Sequence, residues 1–333
     1  MRRLSALTAA CCLLLFAAAA SAAEFKSKYV EANGLKFHYV DEGKGTPVLF
    51  LHGFPALWYM WRDQLTDLQA DHRVIAPDLR GVNLTNPKPT DVAAYHLPIL
   101  VEDVRAFAEK VIGKDKKFVL VGHDWGGLLA WCFALYHPEL LDKLVIINAP
   151  HPVLFEREMK ENPIQRFGST YTYAFIGYDG AKWEEQVAPN NFAGLTQGIL
   201  GGAVKAGVYN QDDVAKWVAS WQQPGSLVGG LNWYRANHLN PPYNDTHPAA
   251  KVPTSWTADF VLGGAKTKII QTPTLIVWGM NDNALQSGNL SGIEKLVPNS
   301  TIKLYPTGDH WVSVVKAKEV TADIRAFVDG KGP

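Results

Sequence analysis

The sequence predicts an α/β fold in which a mostly parallel sheet carries helices on both faces and a helical segment is inserted late in the chain. Short β-branched runs alternate with longer helical stretches in the first 151 residues and again after residue 268. Between them, residues 152–268 lose this alternation and become rich in Trp, Tyr, Gly and Asn. Since a plain loop of that length is uncommon in a compact domain, we expect a helical cap over the carboxyl edge of the sheet. The predicted core therefore comprises residues 24–151 and 269–333.

The first 23 residues have the pattern of a secretory signal peptide. Arg2 and Arg3 precede an apolar, alanine-rich run, and Ala20-Ser21-Ala22 is a small-residue cleavage pattern. A membrane anchor is the alternative, but the run ends in small residues followed directly by Glu24. We therefore expect export to the periplasm or the medium, without stable membrane insertion after cleavage. Cleavage would leave Cys132 alone, so the mature chain would form no internal disulfide.

Charge and histidine spacing exclude several function classes. Lys and Arg number 32, as do Asp and Glu, and removal of Arg2 and Arg3 would leave 30 basic against 32 acidic residues, a formal charge of −2. This balance gives no indication of a nucleic-acid partner. The ten histidines show no metal-ligand spacing such as H-E-x-x-H. The sequence therefore predicts neither a metal site nor another cofactor.

The strands and helices that the pattern predicts are short and regularly spaced. The predicted strands are Lys36–Val40, Val48–His52, Val74–Pro77, Phe118–Gly122, Lys143–Ile147, Thr274–Gly279 and Thr301–Tyr305. Helical periodicity is clearest at Leu100–Val111, and Ala317–Val328 is predicted as a closing helix.

One segment has the pattern of a strand, a sharp turn and a helix with an acidic residue at the turn. The strand Phe118–Gly122 leads into Gly122-His123-Asp124-Trp125-Gly126-Gly127, followed by an apolar helical run. Small residues two places before and two places after Asp124 allow a nucleophile elbow, in which the central side chain is exposed at the turn. Asp124 is the candidate nucleophile, although aspartate is also an ordinary turn residue.

An aspartate at this position changes the reaction class. A carboxylate is ionised near neutral pH and can attack saturated carbon directly, whereas serine must first lose a proton. The product is an ester of the protein's own side chain, which water can cleave at the aspartyl carbonyl. That second step needs a histidine base and an oxyanion hole.

His310 is the candidate base, because it follows the last predicted strand. Asp282 follows the strand before it and would orient the imidazole and stabilise its charged form, giving the chain order nucleophile, acid, base. Asp282 could instead cap a helix. His52 and His123 are interpreted as structural.

The turn after the second predicted strand provides the candidate oxyanion hole. In His52-Gly53-Phe54-Pro55, the backbone N–H of Phe54 can aim at the same point as the N–H of Trp125. Pro55 has no N–H to offer.

With these motifs in place, the chain resembles an epoxide hydrolase of the α/β-hydrolase superfamily over nearly all of the mature sequence. The resemblance rests on the elbow together with His52–Pro55, Trp58–Arg62, Ala76–Gly81, Asn148–Pro152, Leu231–Arg235 and Trp278–Asp282. It implies an eight-stranded, mostly parallel sheet with an inserted cap. The implied reaction converts a small apolar epoxide and water into a vicinal diol through an Asp124 ester that His310-activated water hydrolyses.

The resemblance also implies two tyrosine donors from the cap that hydrogen-bond the epoxide oxygen. Tyr234, in Leu231–Arg235, matches the first donor, and Tyr171 matches the second, with Tyr173 as the alternative. Both can instead be packing residues of the cap. A homodimer is one option for the oligomeric state.

Two departures and several rivals qualify this interpretation. Val82–Thr85 replaces the family's small polar turn, so the contacts that the substrate makes as it enters are expected to differ, and the segment Phe192–Val218 is unusually rich in glycine.

A haloalkane dehalogenase shares the aspartate elbow and the following tryptophan, but Phe54 and Tyr234 argue against it. A fluoroacetate dehalogenase would carry arginine at the position of Trp125. A binding protein that kept the fold without turnover is the alternative from another class.

Overall fold

The computed structural model of the protein describes residues 25–177, 180–239, 256–263 and 265–331. The signal peptide expected at residues 1–23 lies outside these ranges. In the part of the chain that the structure describes, no helix is both long and apolar enough to span a membrane.

Eight strands form one sheet in the order β1-β2-β4-β3-β5-β6-β7-β8. The strands are β1 (Lys28–Ala32), β2 (Leu35–Glu42), β3 (Pro47–Leu51), β4 (Arg73–Pro77), β5 (Phe118–His123), β6 (Leu141–Ile147), β7 (Thr274–Gly279) and β8 (Ser300–Tyr305). The pairs β1/β2 and β2/β4 are antiparallel, and all pairs from β4 to β8 are parallel. The predicted fold class is confirmed.

β1 is the strand that the sequence analysis did not predict. It forms an antiparallel hairpin with β2 at the edge of the sheet, and the turn is Asn33-Gly34, with φ angles of 44° and 76°. Asn-Gly between two alternating runs favours a two-residue hairpin, because both positions need positive φ. The Asn33-Gly34 dipeptide was therefore the sequence signal that could have indicated this hairpin.

The helices in the described residues fall into a core set and a cap set. The core helices are α1 (Arg62–Leu68), α2 (Leu97–Val111), α3 (Trp125–Tyr136), α12 (Ile293–Leu296), α13 (Val312–Val315) and α14 (Ala317–Val328). Those between β6 and β7 are α4 (Pro152–Glu161), α5 (Pro163–Gly168), α6 (Tyr171–Ile176), α7 (Trp183–Val187), α8 (Pro189–Lys205), α9 (Gln211–Gln222), α10 (Ser226–Asn237) and α11 (Ala258–Val261). Single 3-10 turns lie at Trp58–Trp61, Val92–Tyr95, Pro138–Leu140 and Ser287–Leu290.

The centre of the sheet is buried on both faces, which fixes the position of the elbow. Every residue of β5 and β7 is buried, and α3 is buried along its length up to Leu135. Continuous apolar strands of this kind are typical of parallel sheets covered by helices on both sides. The carboxyl ends of β3, β5, β6 and β7 therefore meet at one edge, below the cap.

The cap helix α10 packs directly on the core because two glycines permit close approach. A Cβ on Gly229 would lie 2.2 Å from the Gly81 carbonyl oxygen, and one on Gly230 would lie 2.4 Å from the Phe54 ring. The Trp233 indole N–H donates to the carbonyl of Arg80 at 3.1 Å. These contacts hold α10, which carries Tyr234, above the core.

The departure at Val82–Thr85 is a buried support for the cap. The backbone N–H of Asn83 donates to Ser226 Oγ at 2.8 Å, and the Asn83 side chain donates to Asp78 Oδ2 at 2.8 Å. Val82 and Thr85 are buried as well. This turn packs under α10 and lines neither of the two cavities beside Asp124.

Candidate active site

Asp124 lies at the sharp turn between β5 and α3. Its φ of 54° and ψ of −122° are unusual for a residue other than glycine, and such backbone strain is typical of functional sites. The turn can close because the residues two places before and two places after Asp124 are glycines, which have no side chain. A Cβ on Gly122 would lie 2.3 Å from the Gly126 carbonyl oxygen, and one on Gly126 would lie 2.2 Å from that of Leu51.

The backbone donors expected to form the oxyanion hole converge on the Asp124 carboxylate. The N–H of Phe54 donates to Asp124 Oδ1 at 2.8 Å, and the N–H of Trp125 also lowers the pKa of this carboxyl group. Burial raises the pKa of Asp124 above its usual value, while His310 and the two N–H groups oppose that rise. The N–H groups that would stabilise a developing oxyanion thus stabilise the free carboxylate first.

His310 and Asp282 form a hydrogen-bonded pair beside Asp124. His310 Nδ1 lies 2.8 Å from Asp282 Oδ2, and His310 Nε2 lies 3.7 Å from Asp124 Oδ2. The second distance is too long for a direct hydrogen bond. Burial opposes protonation of the imidazole, but Asp282 and then Asp124 outweigh it and raise the pKa of His310 to about 9.

Asp282 is held by four donors, so its carboxylate is fixed in orientation. Oδ2 accepts from His310 and from Asn148 Nδ2 at 2.7 Å, and Oδ1 accepts the N–H groups of Ala284 and Leu285 at 2.8 and 2.9 Å. Burial disfavours the charge, but His310 and these hydrogen bonds lower the pKa of Asp282 below its usual value. The side chain faces the imidazole and also receives backbone N–H groups of the loop that follows it.

Tyr171 on α6 and Tyr234 on α10 face Asp124 from the cap. Both border the two cavities that Asp124 borders, and the centroids of their rings lie 6.5 Å apart. The Trp125 ring packs edge-on against the Tyr234 ring, with centroids 5.0 Å apart. Burial, with the charge of Asp124, raises the pKa of both tyrosines well above the usual value, so both phenols are neutral.

Tyr173 lies elsewhere. It is buried on α6 and borders neither cavity. Residues two apart on a helix point to different sides, so Tyr171 and Tyr173 cannot both face Asp124. The structure therefore brings Tyr171, and not the alternative, next to Tyr234.

The two histidines interpreted as structural stabilise the loops that carry the site. His52 Nε2 accepts the N–H of Leu79 at 3.0 Å, and burial lowers the pKa of His52. His123 Nε2 lies 2.8 Å from the His310 carbonyl oxygen, and burial, with the charge of His310, lowers the pKa of His123 to about 3. Both imidazoles are therefore neutral near pH 7.

Two cavities meet at the group formed by Asp124, Tyr171 and Tyr234. The smaller encloses about 410 Å³, and apolar side chains complete its wall: Trp125, Leu128, Pro150, Phe155, Leu239, Trp256 and Leu285. The larger has a volume of about 860 Å³ and is open to solvent. Its wall adds four aromatic residues, Phe54, Phe175, Trp183 and Trp311, and the polar residues Asn281, Asn283 and Asp309. The sequence analysis did not single out most of these residues, because they come from distant segments.

The glycine-rich segment Phe192–Val218 also contributes to the larger cavity. The first turn of α8 departs from helical geometry, since Asn190, Asn191 and Phe192 have φ angles of 52°, 56° and 60°. Beyond it, Leu195 and Ile199 face the larger cavity. Within the described residues, no group of three or more His, Cys, Asp or Glu side chains is arranged to hold a metal ion.

This arrangement can carry out substitution at saturated carbon followed by ester hydrolysis. The carboxylate of Asp124 can act as an anionic nucleophile, and the neutral phenols can stabilise negative charge on a leaving oxygen. The imidazole of His310 can activate water near the carboxyl carbon, and the Phe54 and Trp125 N–H groups can stabilise the oxyanion that forms there.

Comparison with known proteins agrees with this chemistry. A family model described as the alpha/beta hydrolase fold matches residues 46–317. Epoxide hydrolase 2 of Caenorhabditis elegans is 32% identical over 91% of this chain and 79% of its own length. Epoxide hydrolase 4 of Mus musculus is 32% identical over 90% of this chain and 78% of its own length.

A solved structure leads to the same family. A mutant of the Bacillus megaterium epoxide hydrolase, complexed with a naphthyloxy-propane-diol product, superimposes with a TM-score of 0.79 at 31% identity, covering 91% of this chain and 100% of that chain. Together with the family match, this similarity establishes a hydrolase that acts on epoxides. The chain therefore belongs to the epoxide hydrolases of the α/β-hydrolase superfamily.

Proposed function

We propose that epoxide opening proceeds through a covalent ester on Asp124. An Asp124 carboxylate oxygen attacks one epoxide carbon, the bond from that carbon to the epoxide oxygen breaks, and its electron pair remains on the oxygen. Tyr171 and Tyr234 hydrogen-bond this oxygen, and one of them supplies the proton that makes it a hydroxyl group. The observation that supports this step best is the carboxylate itself, which is held at 2.8 Å by the Phe54 N–H and faces both phenols.

In the second step, water activated by His310 hydrolyses the ester. The imidazole takes a proton from water, and the resulting hydroxide attacks the Asp124 carboxyl carbon. Collapse of the tetrahedral intermediate releases the diol and restores the carboxylate, and His310 keeps the proton taken from water, as in the free enzyme. Overall, one epoxide and one water give one vicinal diol.

The charge on Asp124 determines when His310 can act as a base. In the free enzyme, Asp282 and Asp124 together raise the pKa of His310 to about 9, so the imidazole is mostly protonated at pH 7. Esterification removes the charge of Asp124, and the pKa of His310 then falls. The imidazolium then passes its proton to the tyrosinate formed in the first step, which leaves a neutral base at the stage that needs one.

We infer an epoxide substrate with an apolar group beside the ring. The smaller cavity has almost only apolar and aromatic side chains on its wall, and such pockets bind apolar groups with few polar anchors. The relative from Bacillus megaterium, which was crystallised with a naphthyloxy-propane-diol, supports an aryl substituent.

Export is also proposed, on the pattern of residues 1–23, and the N-terminal sequence of the mature protein would test it.

A single turnover in heavy-oxygen water tests the covalent pathway. With enzyme in excess over a styrene-type epoxide, the diol should contain ordinary oxygen, because its new oxygen comes from Asp124. The label should instead appear in the Asp124 carboxyl group, where mass spectrometry of the peptide and of the diol can locate it. Label in the diol would mean that water attacks the epoxide directly.

Incubation with a bromoalkane, assayed for bromide, separates this activity from that of a dehalogenase.

Removal of either facing phenol should slow alkylation of Asp124. Tyr171→Phe and Tyr234→Phe should each lower the rate constant for ester formation by about 100-fold, the usual effect of losing one donor to a developing oxyanion. Tyr173→Phe is the matched control from the same helix and should react at a rate close to that of the unmodified enzyme. Rapid-quench measurement of ester formation compares the three. A loss in Tyr173→Phe as large as that in Tyr171→Phe would contradict the assignment.

A further inference from the structure

Gln165 is a fully buried amide that joins the cap to the loop after Asp282. It lies on α5, and its Nε2 donates to Ser169 Oγ at 2.9 Å and to the Ala284 carbonyl oxygen at 2.8 Å. Its Oε1 accepts the Gln286 N–H and Asn289 Nδ2, each at 2.8 Å. Three of these four bonds cross from the cap to the core.

These four bonds use the two donors of the amide and two acceptor positions on its oxygen. Reversing the amide would place its NH₂ group against the Gln286 N–H and the Asn289 NH₂ group, and its oxygen against the Ala284 carbonyl, so only one orientation satisfies the network. A buried amide with every bond satisfied is rigid, and loss of one partner leaves an unpaired buried group. Gln165 therefore fixes the position of the loop relative to α5.

One of these bonds continues to the catalytic pair. The carbonyl that accepts from Gln165 and the N–H of Leu285 belong to the same peptide unit, between Ala284 and Leu285. That N–H donates to Asp282 Oδ1 at 2.9 Å, and Asp282 Oδ2 accepts from His310 Nδ1 at 2.8 Å. A continuous series of hydrogen bonds thus runs from a cap side chain through one peptide to the imidazole, and bonds in such series polarise one another.

The same side chain also supports the cap segment that leads to Tyr171. Ser169, which accepts from Gln165, is buried and lies between α5 and α6. In addition, a Cβ on Gly168 would lie 2.4 Å from the Asn283 carbonyl oxygen, so this part of the cap is pressed against the loop.

We propose that Gln165 is a positioning residue that holds Asp282, and through it His310, in the orientation required for hydrolysis of the Asp124 ester. This inference rests on the proposed two-step reaction. It predicts an effect on the second step in particular, because Asp282 orients the base, which acts after the epoxide has opened.

Gln165→Met tests the proposal, because methionine has a similar length and no hydrogen-bonding amide. Single turnovers with a styrene-type epoxide, followed by intact-protein mass spectrometry, give the rate constants for ester formation and ester hydrolysis separately. We expect the ratio of hydrolysis to formation to fall by about tenfold, the effect of weakening one hydrogen bond to a charged group. The midpoint of the pH dependence of hydrolysis should move to lower pH, because a loosely held Asp282 stabilises the imidazolium less.

Ser169→Ala is the matched control. It removes a bond to the same amide, but one that remains within the cap, so the pH midpoint should stay that of the unmodified enzyme, and any displacement of Tyr171 would slow ester formation and raise the ratio of hydrolysis to formation instead of lowering it. If Gln165→Met lowers both rate constants equally, or changes neither the ratio nor the midpoint, Gln165 is only a structural anchor and the proposal is wrong.

A second variant covers the case in which Gln165→Met does not fold. Gln165→Asn keeps the amide but is one methylene shorter, so it cannot maintain the bond to the Ala284 carbonyl oxygen, and the same change in ratio is expected. Failure of the proposed function would be seen in a different measurement. If the unmodified enzyme forms no ester with the epoxide, the covalent pathway is wrong, whatever the Gln165 variants do.

Discussion

Asp124→Asn should abolish epoxide hydrolysis, with kcat reduced by about 10⁴-fold or more, as for removal of other covalent nucleophiles. The amide is uncharged and cannot displace the epoxide oxygen from carbon at a useful rate. Its oxygen can still accept the hydrogen bond that the Phe54 N–H now donates to Oδ1 at 2.8 Å, so the turn should keep its geometry. The measurement is diol formation, with intact-protein mass spectrometry to detect any adduct.

The same variant has a second expected signature at His310. Removal of the negative charge 3.7 Å from Nε2 takes away one of the causes that raise the pKa of His310 to about 9, so this pKa should fall. NMR titration of the imidazole measures the shift. Mass spectrometry of the purified protein must show that the amide is intact, because deamidation would regenerate the carboxylate. Turnover close to normal with the amide intact would exclude Asp124 as the nucleophile.

His310→Gln should stop the reaction at the ester. Alkylation needs no base, so it should continue, whereas hydrolysis should slow by about 10⁴-fold because no group remains to activate water. The protein should therefore gain one equivalent of epoxide mass, and peptide mapping should locate that mass on Asp124. Diol should not be released after this event.

The double variant Asp124→Asn with His310→Gln is the control for this experiment, and it should acquire no mass. A further comparison comes from Asp282, whose Oδ2 lies 2.8 Å from His310 Nδ1. Asp282→Asn should accumulate some ester while still turning over slowly, since the imidazole remains but is less well oriented. Absence of any adduct in His310→Gln, with substrate binding retained, would indicate direct attack of water on the epoxide.

The sequence predicted the parts of the site that depend on local pattern. The turn at Asp124 requires small residues at positions 122 and 126. Side chains at Gly122 and Gly126 would collide with backbone oxygens. His310 and Asp282 follow consecutive strands of a parallel sheet, so their proximity follows from topology once the strands are known. The eight-stranded, mostly parallel sheet that the resemblance implied is confirmed.

Features that depend on distant contacts or on helix phase could not be predicted in this way. The choice between Tyr171 and Tyr173 depends on which side of α6 faces the cavity, and both sides carry aromatic residues. Gln165 had no recognisable motif, because its partners at 284, 286 and 289 are more than a hundred residues away. β1 was missed although Asn33-Gly34 marked its hairpin turn.

Asn148, at the end of β6, donates through Nδ2 to the same Asp282 oxygen that faces the imidazole, at 2.7 Å. The two side chains therefore reach one point beside the imidazole from neighbouring strand ends, and one brings the negative charge while the other donates to it. The backbone thus offers two positions from which a carboxylate can face His310, and this chain places its acid at only one of them.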